Sequence, residues 1–325
     1  MRYLVFVAGL MRATSAWAET PELTVYTYDS FVSDWGPGPQ VEKAFEAQCG
    51  CDLKLAGVED GAALLARIKL EGSAGDADVM LGIDTNLMAA ARDTGLFAEH
   101  GLSPELDLPV SWDDDMFLPY DWGYFAFVYN VDQKAPGSIR ELAESDATII
   151  IQDPRSSTPG LGLLLWVKAA YGDMAESIWE ELSDNIVTVT RGWSEAYGLF
   201  LEGEADMVLS YTTSPAYHLI AEEDAGKAAA EFSEGHYMQV EVAAKLKSAD
   251  QPELADRFLE FMLSEEFQSV IPTTNWMYPA VAPKGGLPAG FETLIKPSRA
   301  ILMSPEEALA SRDAALDEWL RALSQ

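Results

Sequence analysis

The chain has 325 residues, 48% of them hydrophobic and 23% charged, which is the composition of a folded protein long enough for two lobes with substantial cores. Its formal net charge is −32, so electrostatic attraction to nucleic acid or to anionic lipid is excluded. The sequence contains no low-complexity tract and no repeat of fixed period.

The first 18 residues have the organisation of a secretory signal peptide. Arg2 supplies a positive charge, residues 3–11 form an apolar run, and Ala16, Trp17 and Ala18 form a small-x-small cleavage site. The apolar run is far shorter than the ~20 residues that a membrane-spanning helix needs, which disfavours an uncleaved signal anchor. We therefore expect cleavage after Ala18 and export of the mature chain.

Cys49 and Cys51 are the two cysteines of the sequence. An exported protein meets an oxidising compartment, where the pair can form a very tight disulfide, although a separation of two residues forces unusual geometry. No histidine neighbours them, so a metal site is not indicated. We interpret the pair as structural and leave its oxidation state open.

The first hundred residues alternate between strand and helix. Runs of β-prone residues predict strands at 23–28, 52–58 and 78–83, and apolar residues at helical spacing predict helices at 39–48, 61–72 and 86–94. This order is typical of a parallel sheet that is covered by helices on both faces.

A long aromatic run at 117–129 differs from these segments. It predicts a strand that crosses between two lobes, and its period-2 rings are more often core residues than ligand contacts. The alternation then resumes, with predicted segments at 147–152, 158–171, 187–190, 194–202 and 205–209. A second long strand at 237–246 is predicted to cross back, followed by helices at 252–263 and after the capping box of Ser304 and Glu307.

The loops that follow the predicted strands form the candidate ligand site. Two α/β lobes joined by two crossings enclose a cleft, and such sheets bind ligands beyond the carboxyl ends of their strands. These loops span 27–39, 58–61, 153–162, 192–196, 210–217 and 275–279. Their aromatic rings could sandwich a flat heteroaromatic ligand, and a cationic ring gains extra attraction from aromatic faces.

Three of these loops also begin helices. Asp60 can cap the helix that follows it, or it can hold an amine or a cationic ring in the cleft. Thr158 is the expected N-cap ahead of Pro159, and a helix start with free N–H groups suits phosphate. The Lys-Ser/Thr ending of a P-loop is missing, so nucleotide hydrolysis is not predicted. In the third loop, hydroxyl side chains precede Pro215, which fits a first helical position.

No catalytic constellation is evident in the sequence. Ser194 lies in a Gly-x-Ser-x-Ala segment, a near miss of the nucleophile elbow, without a convincing partner histidine. The three histidines, His100, His218 and His236, lack metal-ligand spacing. We therefore predict neither a catalytic residue nor a metal site.

Several segments resemble those of the periplasmic thiamine-binding proteins of ABC importers. They are LTVYTYDSF, DWGPGP, DPRSSTPGLGLLLW, RGWSEAYGLFLEGEADMVLSYTTSPAYH, FSEGHYMQVEVAA and IPTTNWMYP. The resemblance implies a two-lobed α/β fold of the type II periplasmic-binding-protein class, with an interlobe ligand cleft and two crossing strands. It also implies capture of thiamine and its mono- and diphosphate, without a cofactor or enzymatic activity. The implied partners of this periplasmic monomer are a membrane permease and its ATPase subunits.

The resemblance also implies a set of site residues. Ligand contacts carried over from the family are Asp60, Gly61, Ser157, Thr158, Trp193, Tyr211, Thr212, Thr213 and Ser214. Family rings near the ligand match Tyr28, Trp35, Tyr217 and Trp276. The aromatic faces suit the rings of thiamine, Asp60 suits its positive charge or amine, and the helix start at Ser157 and Thr158 suits phosphate.

The expected domain organisation follows from the crossings and the resemblance. Residues 1–18 are the signal peptide, 19–119 with about 241–280 form lobe 1, 120–240 form lobe 2, and 281–325 form a C-terminal helical segment that packs on the lobes. Two rival functions stay open: the same fold carrying another cargo such as ferric iron or a polyamine, and a secreted hydrolase that uses Ser194.

Overall fold

The computed structural model describes residues 20–324, so the predicted signal peptide at 1–18 lies outside the described residues. The strands are β1 (Glu22–Tyr28), β2 (Asp52–Val58), β3 (Val79–Asp84), β4 (Leu118–Asn130), β5 (Ile149–Gln152), β6 (Ile186–Thr190), β7 (Met207–Tyr211), β8 (Lys227–Ala229), β9 (His236–Lys245), β10 (Tyr278–Pro279) and β11 (Ala300–Ile301). Among these residues, no helix is both long enough and apolar enough to cross a bilayer.

The α-helices cover the sheet and form the C-terminal segment. They are α1 (Asp29–Val32), α2 (Gly38–Cys49), α3 (Gly61–Glu71), α4 (Thr85–Arg92), α5 (Ile139–Ala143), α6 (Thr158–Tyr171), α7 (Ala175–Leu182), α8 (Trp193–Leu201), α9 (Pro215–Ala221), α10 (Pro252–Met262), α11 (Glu265–Gln268), α12 (Ile271–Thr274) and α13 (Pro305–Leu323).

The sheet has two parallel wings joined by an antiparallel centre. Its strand order is β2-β1-β3-β9-β4-β7-β5-β6, where β2, β1 and β3 run parallel to one another, as do β7, β5 and β6. The long strands β9 and β4 pair with each other in antiparallel fashion and link the wings, as the two predicted crossings require. All six residues of β3 are buried, because helices cover both faces of a parallel wing.

Most predicted elements lie within two residues of their observed bounds, but one predicted helix cap was wrong and one helix was not predicted. The N-cap of α6 is Ser157 rather than Thr158, because the Ser157 hydroxyl accepts from the Gly160 amide at 3.5 Å and the helix already begins at Thr158. Helix α7 was not predicted, although its apolar side chains recur at helical spacing.

The C-terminal helix α13 begins with the predicted capping box of Ser304 and Glu307 and packs against α4, α6 and α7. Its ion pair from Glu318 to Lys168 ties it to α6. It therefore touches helices on both wings, while the division into lobes at 119, 240 and 280 stays a prediction.

Cys49 and Cys51 form a disulfide, with their Cα atoms 5.2 Å apart. Gly50 between them has φ +64°, a left-handed conformation that ends α2 and that glycine adopts without steric cost. The bridge closes the turn from α2 into β2, far from the strand ends that face the other wing.

Candidate functional site

A cavity of about 510 Å3 opens between the two wings, at the carboxyl ends of their strands. Eight of the predicted site residues line it: Tyr28, Trp35, Asp60, Trp193, Tyr211, Ser214, Tyr217 and Trp276. The other five lie behind the lining and are buried: Gly61, Ser157, Thr158, Thr212 and Thr213. The structure thus brings the predicted loops together, and it separates lining residues from supporting ones.

The first support is the helix junction, which we define as Asp60, Gly61, Ser157 and Thr158. Here the start of α3 meets the start of α6, and the Ala63 amide donates to the Ser156 carbonyl at 3.1 Å. A Cβ atom on Gly61 would lie 2.4 Å from the Thr158 hydroxyl oxygen, so only glycine allows this approach. The two wings are therefore in direct contact at this end of the cavity.

Asp60 caps α3, and its place in the cavity lining leaves a role in ligand binding as a prediction. Its carboxylate caps α3 by accepting from the Gly61 amide at 2.8 Å, and its second oxygen accepts from the Ser157 hydroxyl at 2.8 Å. The same side chain lines the cavity. Burial raises the pKa of Asp60, and the hydrogen bonds from Gly61, Ser157 and Thr158 oppose that shift because they favour the carboxylate.

The corner between β7 and α9 holds the indole of Trp193 in place. The Trp193 Nε1 donates to the Ser210 hydroxyl at 2.7 Å, and that hydroxyl lies 2.7 Å from the Ser214 hydroxyl. The Ser214 hydroxyl also accepts from the Tyr211 amide at 3.2 Å, so it stabilises the turn and does not cap α9 with its side chain. The hydroxyls of this corner thus fix a ring that faces the cavity.

Five rings form what we call the aromatic wall: Trp35, Trp193, Tyr197, Tyr217 and Trp276. Trp193 stacks on Tyr197 with ring centres 4.9 Å apart, and Trp35 approaches Trp193 from the other wing at 6.2 Å. Trp276 meets Tyr217 edge to face at 5.4 Å. It does so from a φ of +56°, a conformation uncommon for a bulky residue that is typical of functional sites.

The same cavity is lined by what we call the polar floor: Tyr28, Gln239, Glu241 and Asn275, which hydrogen bonds connect to Tyr120 and Asp121. The Tyr28 and Tyr120 hydroxyls donate to Glu241 Oε2 at 3.1 and 2.5 Å. Asn275 donates to the Asp121 carboxylate at 2.6 Å. These groups come from β1, β4, β9 and the loop after α12, so the floor is assembled from distant parts of the chain.

The two carboxyl groups of the floor face each other across the β4–β9 pair, where Asp121 is opposite Glu241. Burial raises the pKa of Glu241 to about 7, and it raises that of Asp121 well above its ordinary range. Repulsion between the two carboxylates adds to the shift of Asp121. Within residues 20–324, the hydrogen-bond donors to these two groups are neutral side chains.

Prediction from sequence named Tyr28 but missed the rest of the floor and the Tyr197 ring of the wall. The missed lining residues include Glu59, Ser194, Tyr197, Gln239, Glu241 and Asn275. A signal was present for Gln239 and Glu241, because two polar residues at alternate positions of an otherwise apolar strand share one face.

Both ring nitrogens of each of the three histidines have hydrogen-bond partners in the fold. His100 contacts the Leu102 amide and the Asp114 carbonyl. His218 contacts the side chains of Tyr197 and Glu222. His236 contacts the Phe125 carbonyl and the Phe232 amide. Ser194 lines the cavity at the start of α8, but no histidine has a ring nitrogen free to serve it as a base. A hydrolase is therefore not favoured.

One cluster within the described range has side chains close enough to hold a cation. The ligand atoms of His218, Glu222 and Asp224 lie within 4.8 Å of one another. Protein groups already use these atoms, since His218 Nδ1 is 2.6 Å from Glu222 and the Tyr217 hydroxyl donates to the other Glu222 oxygen at 2.9 Å. We assign no metal to this cluster.

Comparison with known proteins places the chain in a family. Residues 37–269 match the family described as bacterial extracellular solute-binding protein. The chain is 55% identical to the thiamine-binding periplasmic protein of Escherichia coli K12 over 321 residues, 97% of this chain and 98% of that protein. It is 56% identical to the protein of the same name from Salmonella typhimurium LT2, over 97% of each chain.

Solved structures agree on the fold. A periplasmic thiamin binding protein superimposes with a TM-score of 0.92 at 55% identity, covering 98% of this chain and all of that one. The iron-bound HitA from Pseudomonas aeruginosa shares the fold alone, with a TM-score of 0.73 at 22% identity over 93% of this chain and 99% of that one. The architecture is the two-lobed type II periplasmic-binding-protein fold that the sequence predicts. The chain belongs to the bacterial extracellular solute-binding proteins and, among them, to the family of thiamine-binding periplasmic proteins.

Proposed function

We propose that this protein captures thiamine in the periplasm and delivers it to the membrane permease of an ABC importer. The observation that carries the proposal is the pairing of an aromatic wall with a buried acidic floor across one cavity. Thiamine carries a cationic thiazolium ring and a flat aminopyrimidine, which these two surfaces suit. The names of the relatives support the same cargo.

The proposed ligand contacts are the lining residues predicted from the sequence, with Asp60 near the cation. Gly61, Ser157, Thr158, Thr212 and Thr213 would act from behind the lining, by holding Asp60 and the corner in place. A protein that hands its cargo to a permease and its ATPase subunits needs no catalytic residue, and we propose that it works as a monomer without a cofactor.

We propose that thiamine mono- and diphosphate bind in the same cavity. The start of α8 supports this more directly than the start of α6, which is closed by the bond between Asp60 and Ser157. Gly192 is the N-cap of α8 and offers no side-chain cap, while Trp193 and Ser194 of its first turn line the cavity. Free N–H groups at such a helix start suit a phosphate.

Mass spectrometry of the native protein and calorimetry test the proposal together. The purified protein is expected to carry a ligand with the mass of thiamine or one of its phosphates. After unfolding to remove the ligand and refolding, titration with the three compounds is expected to show binding at one site. Spermidine and ferric citrate serve as rival cargoes. Binding of either rival, with none of the three thiamine compounds, would overturn the proposal.

A further inference from the structure

Gln239 stands out among the buried side chains of the cavity. It lies in the middle of β9, is 0% exposed and lines the cavity. Neither its amide oxygen nor its amide nitrogen makes a hydrogen bond to any group within residues 20–324. Burying such groups without partners is unfavourable, so a function in ligand binding would explain the arrangement.

Another buried glutamine shows what a structural amide does in this fold. Gln268 donates to the Met262 and Tyr120 carbonyls at 2.7 and 3.2 Å, and its oxygen accepts from the Val281 amide at 2.9 Å. It is 1% exposed, as buried as Gln239, yet all of its polar atoms are paired. The third buried glutamine, Gln152, donates to the Leu209 carbonyl at 2.9 Å and leaves only its oxygen unpaired, so Gln239 is the one of the three whose amide has no partner at either atom within the described residues.

Gln239 has a small neighbour across the strand pair. In the β4–β9 pair it stands opposite Gly123, which has no side chain. A Cβ atom on Gly123 would lie 2.7 Å from the Met277 methyl group, so the flexible Met277 side chain, which also lines the cavity, packs over this position. Glu241, two residues along the same strand, lies on the same face and holds the acidic part of the floor.

We propose that Gln239 determines specificity by recognising the aminopyrimidine edge of the ligand, an inference that rests on the proposed function. Its carbonyl accepts from the exocyclic amine, and its NH2 group donates to the adjacent ring nitrogen. An amide is the complement of such an edge, as when glutamine or asparagine pairs with adenine. The other parts of thiamine do not offer this match, because the thiazolium ring has no N–H donor and a phosphate only accepts.

In this arrangement Glu241 and the aromatic wall contact the cationic thiazolium ring. The carboxyl group of Glu241 already accepts from Tyr28 and Tyr120, so its free capacity is for charge and not for a second paired edge. The amide and the carboxyl group thus divide the ligand between them, one by hydrogen-bond pattern and the other by charge.

The test is calorimetry on Gln239→Met with three ligands: thiamine, its 4′-deamino analogue, and a 5-(2-hydroxyethyl)-3,4-dimethylthiazolium fragment without the pyrimidine. Methionine keeps the length of the side chain and removes both hydrogen-bonding functions. Kd for thiamine is expected to rise roughly 5- to 150-fold, the range for a paired amide contact. Kd for the deamino analogue is expected to rise less, and Kd for the fragment is expected to stay unchanged.

The matched control is Gln268→Met, with urea unfolding of the ligand-free proteins as a second readout. Gln268→Met is expected to lower the midpoint because it breaks three hydrogen bonds, while Gln239→Met leaves the midpoint unchanged or raises it. An equal rise in Kd for all three ligands, or no rise for thiamine, overturns the proposal while the thiamine function stands. If the unaltered protein binds no thiamine, both the function and this inference fall.

Discussion

The aromatic wall and the polar floor satisfy their polar groups in different ways. In the wall the Trp193 indole and the Tyr197 hydroxyl are each bonded to a protein partner, at 2.7 and 2.9 Å. In the floor the Gln239 amide has no partner within the described residues, and the pKa of Glu241 is raised because its charge is buried. These two rings of the wall are held by the protein itself, whereas the Gln239 amide of the floor would gain its partners from the proposed ligand.

The wall and the floor therefore select different properties of a ligand, its shape and its polar groups respectively. Rings that are fixed in place favour a flat molecule, and Trp193, Tyr197 and Tyr217 cannot rearrange without breaking hydrogen bonds. An unsatisfied floor selects for charge and hydrogen-bond pattern, because a ligand that lacks them leaves buried groups unpaired. Each of the following substitutions acts on one side of this division.

Trp193→Ala is expected to have the largest effect, because it removes the ring that faces Trp35 and stacks on Tyr197. Truncation of a buried aromatic contact of this kind typically costs about 2–4 kcal/mol of binding free energy. Calorimetry with thiamine measures the loss. Trp193→Phe keeps a ring but loses the bond to Ser210, so an intermediate Kd is expected. Wild-type affinity in Trp193→Ala would remove the wall from the binding site.

Asp60→Asn is expected to weaken thiamine by about 1–3 kcal/mol, because a sheltered carboxylate near the cation loses its charge. The phosphate esters are expected to lose less, since their own negative charge is repelled by Asp60. Asp52→Asn is the matched control: it makes the same chemical change at an exposed carboxylate at the start of β2, which does not line the cavity. An unchanged Kd for thiamine in Asp60→Asn would leave Asp60 with the role of a helix cap.

The affinity for thiamine is expected to rise with pH between about 6 and 7, by at most about tenfold per pH unit, because the pKa of Glu241 is about 7 and its anion favours a cation. Tyr28, Tyr120, Asp121 and Asp60 are the titratable groups that act on Glu241. Glu241→Gln is expected to flatten this profile in calorimetry. A profile that stays as steep in the variant would contradict the assignment.

Titration of Glu241 is also expected to change the free energy of unfolding with pH, in the direction opposite to its effect on affinity. Its pKa is higher in the folded chain than in the unfolded one, so the folded state holds a proton that the unfolded state has lost. The free energy of unfolding of the ligand-free protein is therefore expected to fall as pH rises from about 4.5 to 7, and less steeply in Glu241→Gln. Asp84, whose pKa burial raises to about 8, adds a slope that this variant reduces only in part, because repulsion by Glu241 is the smaller contribution to that shift. Urea unfolding at several pH values measures both.

Local patterns were enough to predict the wings and the loops. The helix at 158–171 was predicted at its observed bounds, and Pro215 was placed correctly at the start of α9. The cap at Ser157 was missed because both Ser157 and Thr158 carry a hydroxyl, and only the backbone conformation decides which one precedes the helix. The resemblance to a family supplied the set of contact residues but could not say which of them line the cavity.

The sequence by itself determined the order of strands and helices, the two long crossings and the loops with rings and hydroxyls, because these features depend on side-chain period and on nearby turn residues. The tertiary structure decided that Ser157 bonds to Asp60 across 97 residues and that Tyr28 bonds to Asn275 across 247. It also decided that Gln239 lines a cavity instead of lying in a core. The hydrogen-bond partners of these polar groups depend on the strand order and on the contact between the wings. Neither can be predicted from the spacing of residues along the chain, because the partners are distant in sequence.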